Sequence, residues 1–256
     1  MSSLEGGSGI LSLATAFPRE VRTNDWWRER HPAMVADVER QLLGKVWRAH
    51  VPSATAAAFD AAMARYLDDP FRGVVQRRVL GPGESSAGLE LEAARAALAA
   101  ARLQAADVDL LISVSFLGDA VGIGNAVFLA GELGLDGPAW NLETACSGAL
   151  YAFETACALV AAGQHRRILV TVSCAYSRVC EETSTLSWSA GDGAAALLVG
   201  PVPPGHGLLA AQASTPPRRA SPSATSSPPR RAAPPSAWPS TPPPASSSAT
   251  PPRITS

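Results

Sequence analysis

The chain predicts an α/β fold on a mainly parallel sheet, and three observations carry that prediction. Leu110–Ser115 and Arg167–Ser173 are short apolar runs of the length and branched content that buried parallel strands require. Helical stretches separate such runs, and Ser85–Arg102 is the clearest of them. The connections are short, so strand and helix alternate along the chain.

Taken in order, Gly9–Thr15 with its flanks, residues 9–16, reads as a first strand. Residues 23–50 read as helical with interruptions, starting at the cap Thr23-Asn24-Asp25. Residues 55–67 form a second helical stretch, and residues 73–79 a short strand. Residues 85–102 place Leu89, Ala93, Ala94, Ala97 and Leu98 at helical spacing after Ser85-Ser86. The strand at 110–115 is followed by a Gly-rich loop at 118–124, a helix at 125–134 and a short strand at 138–143. A helix over 147–163 ends at Gly163; strands follow at 167–173 and, after the turn Gly191-Asp192-Gly193, at 194–199. The loop spacing Gly-x-x-x-Gly-x-Gly is not the dinucleotide fingerprint.

Composition excludes several classes. No run of 18 apolar residues is free of charge, so no membrane span is expected, and the start of the chain has no secretory pattern. The four cysteines, 146, 157, 174 and 180, are too scattered for a disulfide framework, which points to a reducing cytosol. Net charge is −1, and the body has no basic stripe, so nucleic acid is not an expected partner.

Composition changes abruptly near Gln212. Residues 213–256 are almost wholly Pro, Ser, Ala, Thr and Arg, with nothing to offset chain entropy by burial; a disordered tail is expected. Pro, Ala, Ser and Thr share a C in the middle of their codons. A Pro-rich tail and the out-of-frame reading of a GC-rich gene both fit, and the second is the favoured expectation. The Pro-Pro pairs also match a scaffold for SH3-like partners, a weak signal.

The chemistry centres on Asn141-Leu142-Glu143-Thr144-Ala145-Cys146-Ser147-Gly148-Ala149. A strand ends there and a cysteine sits where a helix begins. A helix N-terminus favours a thiolate through its dipole and free N–H groups, and the same N–H groups suit the oxygen of a thioester under attack. Small neighbours leave room for a long, thin substrate. Position alone leaves two readings open: an acyl-accepting nucleophile, or a small buried hydrophobe. Cys157, deep in the same helix, and Cys174 and Cys180 read as structural, with no zinc spacing. His31, His50, His165 and His206 read as surface residues.

The stretch Glu143-Thr-Ala-Cys-Ser-Gly-Ala-Leu-Tyr-Ala152 resembles the nucleophile motif of 3-oxoacyl-(acyl-carrier-protein) synthase III (KAS III) enzymes. Other segments resemble the family in the same order: Gly9–Pro18 with Val21–Asn24, Gly73–Val79, Ala106–Ile112 and Gly191–Ala196. The likeness runs over about residues 9–210. It implies a thiolase-like fold of two similar halves, each with a five-stranded sheet, working as a homodimer. This chain resembles the N-terminal half: residues 1–212 as a mainly parallel five-stranded sheet with helices on both faces, then the tail at 213–256. The resemblance implies that Cys146 takes an acyl group from acyl-CoA or acyl-carrier protein. A His and an Asn of the second half then help condense that acyl group with a malonyl thioester. The substrate thioester is the only small-molecule partner implied; no separate cofactor and no metal are expected.

The chain departs from the family in two places. No Asn-His pair or Gly-Asn-Thr-like segment follows residue 200, so only Cys146 is carried over. The expectation is a chain inactive or nearly so in condensation, with an apolar sheet face exposed and poor solubility. The Trp that helps grip CoA is also missing, since Tyr66-Leu67-Asp68-Asp69-Pro70-Phe71-Arg72 stands in its place. With the long insert 24–65, this is closer to KAS III-like proteins of natural-product pathways. Some of those pass an acyl group to a hydroxyl or amine without condensation. A truncated, inactive remnant is the third reading.

Overall fold

A computed structural model describes residues 7–46, 66, 69–120 and 122–213. The helix expected over 55–67 lies outside these residues save for Tyr66, as do the end of the 23–50 stretch, with His50, and the tail from residue 214. The chain divides into one unit, Met1–Ala211, and a second, Gln212–Ser256.

Strand β1 (Gly7–Ala16) leads into β2 (Glu20–Thr23), α1 (Asn24–Arg30) and α2 (Pro32–Val46). The break between the helices falls at His31 because Pro32 disfavours a helical residue before it and fits a first helical position, where no N–H is needed. Then come β3 (Gln76–Val79), α3 (Ser86–Ala101), β4 (Leu110–Phe116), α4 (Ala126–Leu133) and β5 (Ala139–Asn141). The chain closes with α5 (Gly148–Ala161), β6 (Ile168–Ala175) and β7 (Asp192–Val202).

Five strands form one sheet in the order β1-β7-β6-β4-β5. β4 runs parallel to β5 and β6, whereas β7 is antiparallel to both β6 and β1. All strands but β7 therefore point the same way. β7 reverses because no α-helical crossover follows β6; an excursion over 176–191, with only short 3-10 turns, brings the chain back along its neighbour. A bulge near Leu11 shifts the β1 register against β7. β2 and β3 form a separate two-stranded ribbon. The pairing of residues 20–23 was not expected, since Glu20-Val21-Arg22-Thr23 carries almost no apolar signal.

Both sheet faces carry helices. On one, α3 and α4 cover Leu111, Leu169, Ala196 and Leu198, with Ala93, Ala94 and Ala97 of α3 fully buried. Alanine on that helix face lets the backbone approach the sheet closely. On the other, Ala152, Ala156, Cys157 and Val160 of α5 pack on Leu110, Ile112, Ile168, Val170 and Val199. Ile10 and Leu13 pair with Val199 and Leu197 and so share this second face, yet they are 46% and 55% exposed. Leu150 of α5 is 74% exposed.

Both ends of α3 are well satisfied. Ser85 Oγ accepts from Gly88 N at 3.0 Å, and the Asp119 carboxylate accepts from Ser86 N at 3.1 Å and Ala87 N at 2.7 Å. At the other end Leu103 N reaches back to Leu98 O at 3.0 Å across the left-handed Arg102. A satellite core of Trp27, Val35, Phe71 and Trp188 surrounds the buried Arg77. That guanidinium lies over the Trp27 and Phe71 rings and donates to Trp188 O and Asn24 Oδ1; burial pulls its pKa down to about 10. Among the described residues no helix is long and apolar enough to cross a membrane.

Candidate functional site

Cys146 lies where β5 hands over to α5. Leu142 N donates to Ser113 O at 2.9 Å, prolonging the pairing with β4, and Glu143 Oε1 accepts from Ser115 N at 3.0 Å. The chain then turns sharply. Ala145 adopts φ +49°, in the left-handed region that costs a residue with a Cβ about 1–2 kcal/mol. Ala145–Ser147 form one 3-10 turn that runs directly into α5. The turn is stitched by Ser147 Oγ, which donates to Thr144 O at 2.8 Å. The thiol of Cys146 ends up exposed at the tip.

Two of the N–H groups that lie at the helix start are already engaged: Ser147 N donates to Thr144 O at 3.3 Å, and Gly148 N to Ala145 O. Gly148 itself is a packing requirement. A Cβ there would sit 2.5 Å from Val114 Cγ1, so only glycine lets the first turn of α5 lie against β4.

The neighbour of the sulfur is Tyr176, whose hydroxyl oxygen is 3.9 Å from Cys146 Sγ. Tyr176 opens a 3-10 turn, Tyr176–Arg178, directly after β6. Asp192, buried at the start of β7, fixes that turn: its carboxylate accepts from Ser177 N at 2.9 Å and from Ser177 Oγ, and also from Leu80 N at 2.7 Å. The ring of Tyr176 lies against Phe116, with centroids 5.1 Å apart. Together with Leu117, Val179, Cys180 and Leu186 these two rings line a cavity of about 450 Å³. A second cavity, about 600 Å³, is bordered by residues 118–120 and 122–124, Ser115, Asn141, Glu143 and Arg178.

The other cysteines differ in setting. Cys157 is 1% exposed on α5, where burial pushes its thiol up and Ser8 O accepts its hydrogen bond at 3.7 Å. Burial also raises Cys174, half-buried on β6, and charge on Cys146 or Cys180 adds to the shift. Cys174 and Cys180 thus lie around Tyr176, close enough for charge on either to raise its phenol. Their spacing in the sequence gave no hint of this. His31 is half-buried rather than on the surface, with Nε2 3.6 Å from Glu182 Oε2. Among the described residues no group of His, Cys, Asp and Glu could hold a metal.

The most connected polar residue in the core is Glu90 of α3, fully buried. Its carboxylate accepts from Ser113 Oγ at 2.8 Å, Ser115 Oγ at 2.9 Å, Asn125 Nδ2 at 2.8 Å, Thr171 Oγ1 at 2.6 Å and Ser173 Oγ at 2.5 Å. Ser115 also borders the larger cavity, so this network supports the cavity wall. A signal for it exists in the sequence. Ser113 and Ser115, and Thr171 and Ser173, sit two apart in otherwise apolar strands and face one side. A single Glu lies on the Ala-rich helix face that would cover them.

The family profile of 3-oxoacyl-(acyl-carrier-protein) synthase III matches residues 140–217, which hold the Cys146 turn, α5, β6 and β7. The chain is similar to KAS III enzymes over this segment, and its fold is thiolase-like. The beta-ketoacyl-(acyl-carrier-protein) synthase III of Rhizobium rhizogenes is 39% identical over 129 residues, covering 50% of this chain and 40% of the relative. That of Fusobacterium nucleatum is 32% identical over 139 residues, covering 54% and 42%. A crystal structure of a 3-oxoacyl-(acyl-carrier-protein) synthase III superposes with TM-score 0.57 at 26% identity, covering 79% of this chain and 52% of that one. The priming beta-ketosynthase of the R1128 polyketide pathway shares the fold, with TM-score 0.61 at 24% identity over 79% of this chain and 52% of that one. The chain thus spans about two fifths of the length of these curated relatives and about half of the solved structures.

Proposed function

We propose that Cys146 receives an acyl group as a thioester, the loading step of KAS III-like acyl transfer in fatty acid or polyketide biosynthesis. What carries the reading is the exposed thiol on a strained turn entering α5, inside the segment matched by the family profile. In this step the Cys146 sulfur attacks the carbonyl carbon of acyl-CoA or acyl-carrier protein. A new C–S bond forms, the bond to the donor's sulfur breaks, and the donor leaves as a thiolate that takes up a proton. The apolar cavity beside Tyr176 and Phe116 is suited to the acyl chain.

The second step of a KAS III reaction is condensation with a malonyl thioester. The resemblance assigns its His and Asn to a segment with no match in this sequence. The reading is therefore confined to loading, with a homodimer as the expected assembly. Intact-protein mass spectrometry after incubation with acyl-CoA or acyl-carrier protein tests it. A thioester mass increase on Cys146, lost in Cys146→Ala, is expected; soluble, folded protein that gains no mass refutes the reading.

One observation favours a carrier protein over CoA as donor, and with it the acyltransferase type that passes the acyl group to a hydroxyl or amine. In the stretch that replaces the CoA-gripping Trp, Phe71 is 2% exposed, packed at 4.7 Å from Trp188. Asp69 there is spent on the turn, accepting from Phe71 N at 2.9 Å and Gly73 N at 2.7 Å. Faster labelling of Cys146 by acyl-carrier protein than by the matching acyl-CoA is the expected result, and the reverse order would favour CoA.

A further inference from the structure

We propose that the hydroxyl of Tyr176 is the hydrogen-bond donor that holds the Cys146 sulfur as a thiolate beside the acyl cavity. This rests on the reading of Cys146 as the acyl acceptor and adds a positioning residue to it.

The two side chains come from separate elements and meet at 3.9 Å, within reach of a hydrogen bond to sulfur. Which atom keeps the proton follows from ordinary acidities. A cysteine thiol ionises near pH ~8.5 and a phenol near ~10, so when the pair gives up one proton it leaves from sulfur. An ionised sulfur only accepts, and the phenol then donates. The environment pushes the same way. The hydrogen bond with Cys146 and then the charge on Cys146 raise the Tyr176 phenol above its usual value; burial, Cys174 and Cys180 add to this. The phenol therefore stays protonated where the thiolate forms.

Its placement costs little at the moment of reaction, because the donor is already fixed. The ring lies against Phe116, Cys180 N donates to Tyr176 O at 2.9 Å, and Asp192 anchors the adjoining Ser177. The other titratable groups near the pair are Cys174 from β6, Cys180 and Glu181 on the cavity wall, Arg178 on the same turn, and Asp192, which acts on Cys174. Arg178 is turned away from the sulfur, donating to Glu84 O at 2.7 Å. Tyr176 is thus the neutral donor beside the reacting atom. It also suits the return step, when the acyl group passes on and the sulfur regains its charge.

Tyr176→Phe keeps the ring and removes the O–H. The test is the pH profile of Cys146 alkylation by iodoacetamide, read by peptide mass spectrometry so that each cysteine is followed separately. The expected result is a midpoint moved up by about one pH unit, a tenfold loss of thiolate at neutral pH, with unchanged rates well above the midpoint. A profile that superimposes on that of the unmodified protein overturns the proposal. If Tyr176→Phe does not fold, replacing the tyrosines with 3-fluorotyrosine, a stronger donor of the same shape, should move the midpoint down, and an unmoved midpoint again overturns it. Alkylation needs no acyl donor, so the two readings fail separately. A shifted profile without an acyl adduct removes the acyl assignment and keeps the tyrosine; an adduct with an unshifted profile does the converse.

Discussion

Glu90 carries a carboxyl group into the centre of the α3 face, where five side-chain donors take the place of water. Replacing one carboxylate oxygen by an amide NH2 sets donor against donor. Glu90→Gln should therefore lower unfolding stability by on the order of 2 kcal/mol in urea titration, since a buried donor left without its acceptor costs about 1–3 kcal/mol. No change in stability would mean that the donors find other acceptors. At this scale legibility was uneven. Cys146 stood out because its neighbours in the sequence are also its neighbours in space, on one turn. Tyr176 and Asp192 did not, because their roles come from contacts with residues far along the chain. Tyr176 reaches Cys146, and Asp192 reaches Leu80.

The elements were more legible than the contacts. β4 and β6 announce themselves as apolar runs because burial on both faces leaves no room for alternation, and α3 does so through its cap and its Ala-rich stripe. The ribbon of β2 with β3 was only half visible; Glu20–Thr23 pairs for backbone reasons that its side chains do not encode. The full length of β7, Asp192–Val202, was also hidden, because a strand's ends depend on its partners, here β1 and β6. Gly148 belongs to this scale, since it sets how closely α5 meets β4. Gly148→Val should lift the start of α5, cost about 1–3 kcal/mol as overpacking, and displace the Cys146 turn. Thermal melts and the rate of Cys146 acylation check both parts; full acylation in this variant would show that the helix start tolerates the shift.

Across the whole molecule, the buried thiols give stability a pH dependence whose sign is fixed. Burial raises Cys157 and Cys174 above the ordinary 9.0, so between that value and the folded one the unfolded chain holds fewer protons than the folded chain. Stability therefore falls as pH rises past about 9, and is fully present below it. Urea midpoints should drop between pH 8 and pH 10, and Cys157→Ala should flatten the decline; equal slopes for the two proteins would show that Cys157 does not contribute. Ile10, Leu13 and Leu150 add a second property at this scale, since exposed apolar side chains favour association. Leu150→Glu should lower the fraction of large species seen in sedimentation velocity. An unchanged distribution would show that this side chain is not a contact.

The clamp on Ser177 imposes an order of events on a growing polypeptide. The sulfur and its surrounding helix emerge early, but the carboxylate that secures the phenol's turn is made later and must first be built into the last strand of the sheet. Until that strand has docked, a nascent chain would bear the thiol without its fixed donor, and reagents that seek a thiolate would find less of it there.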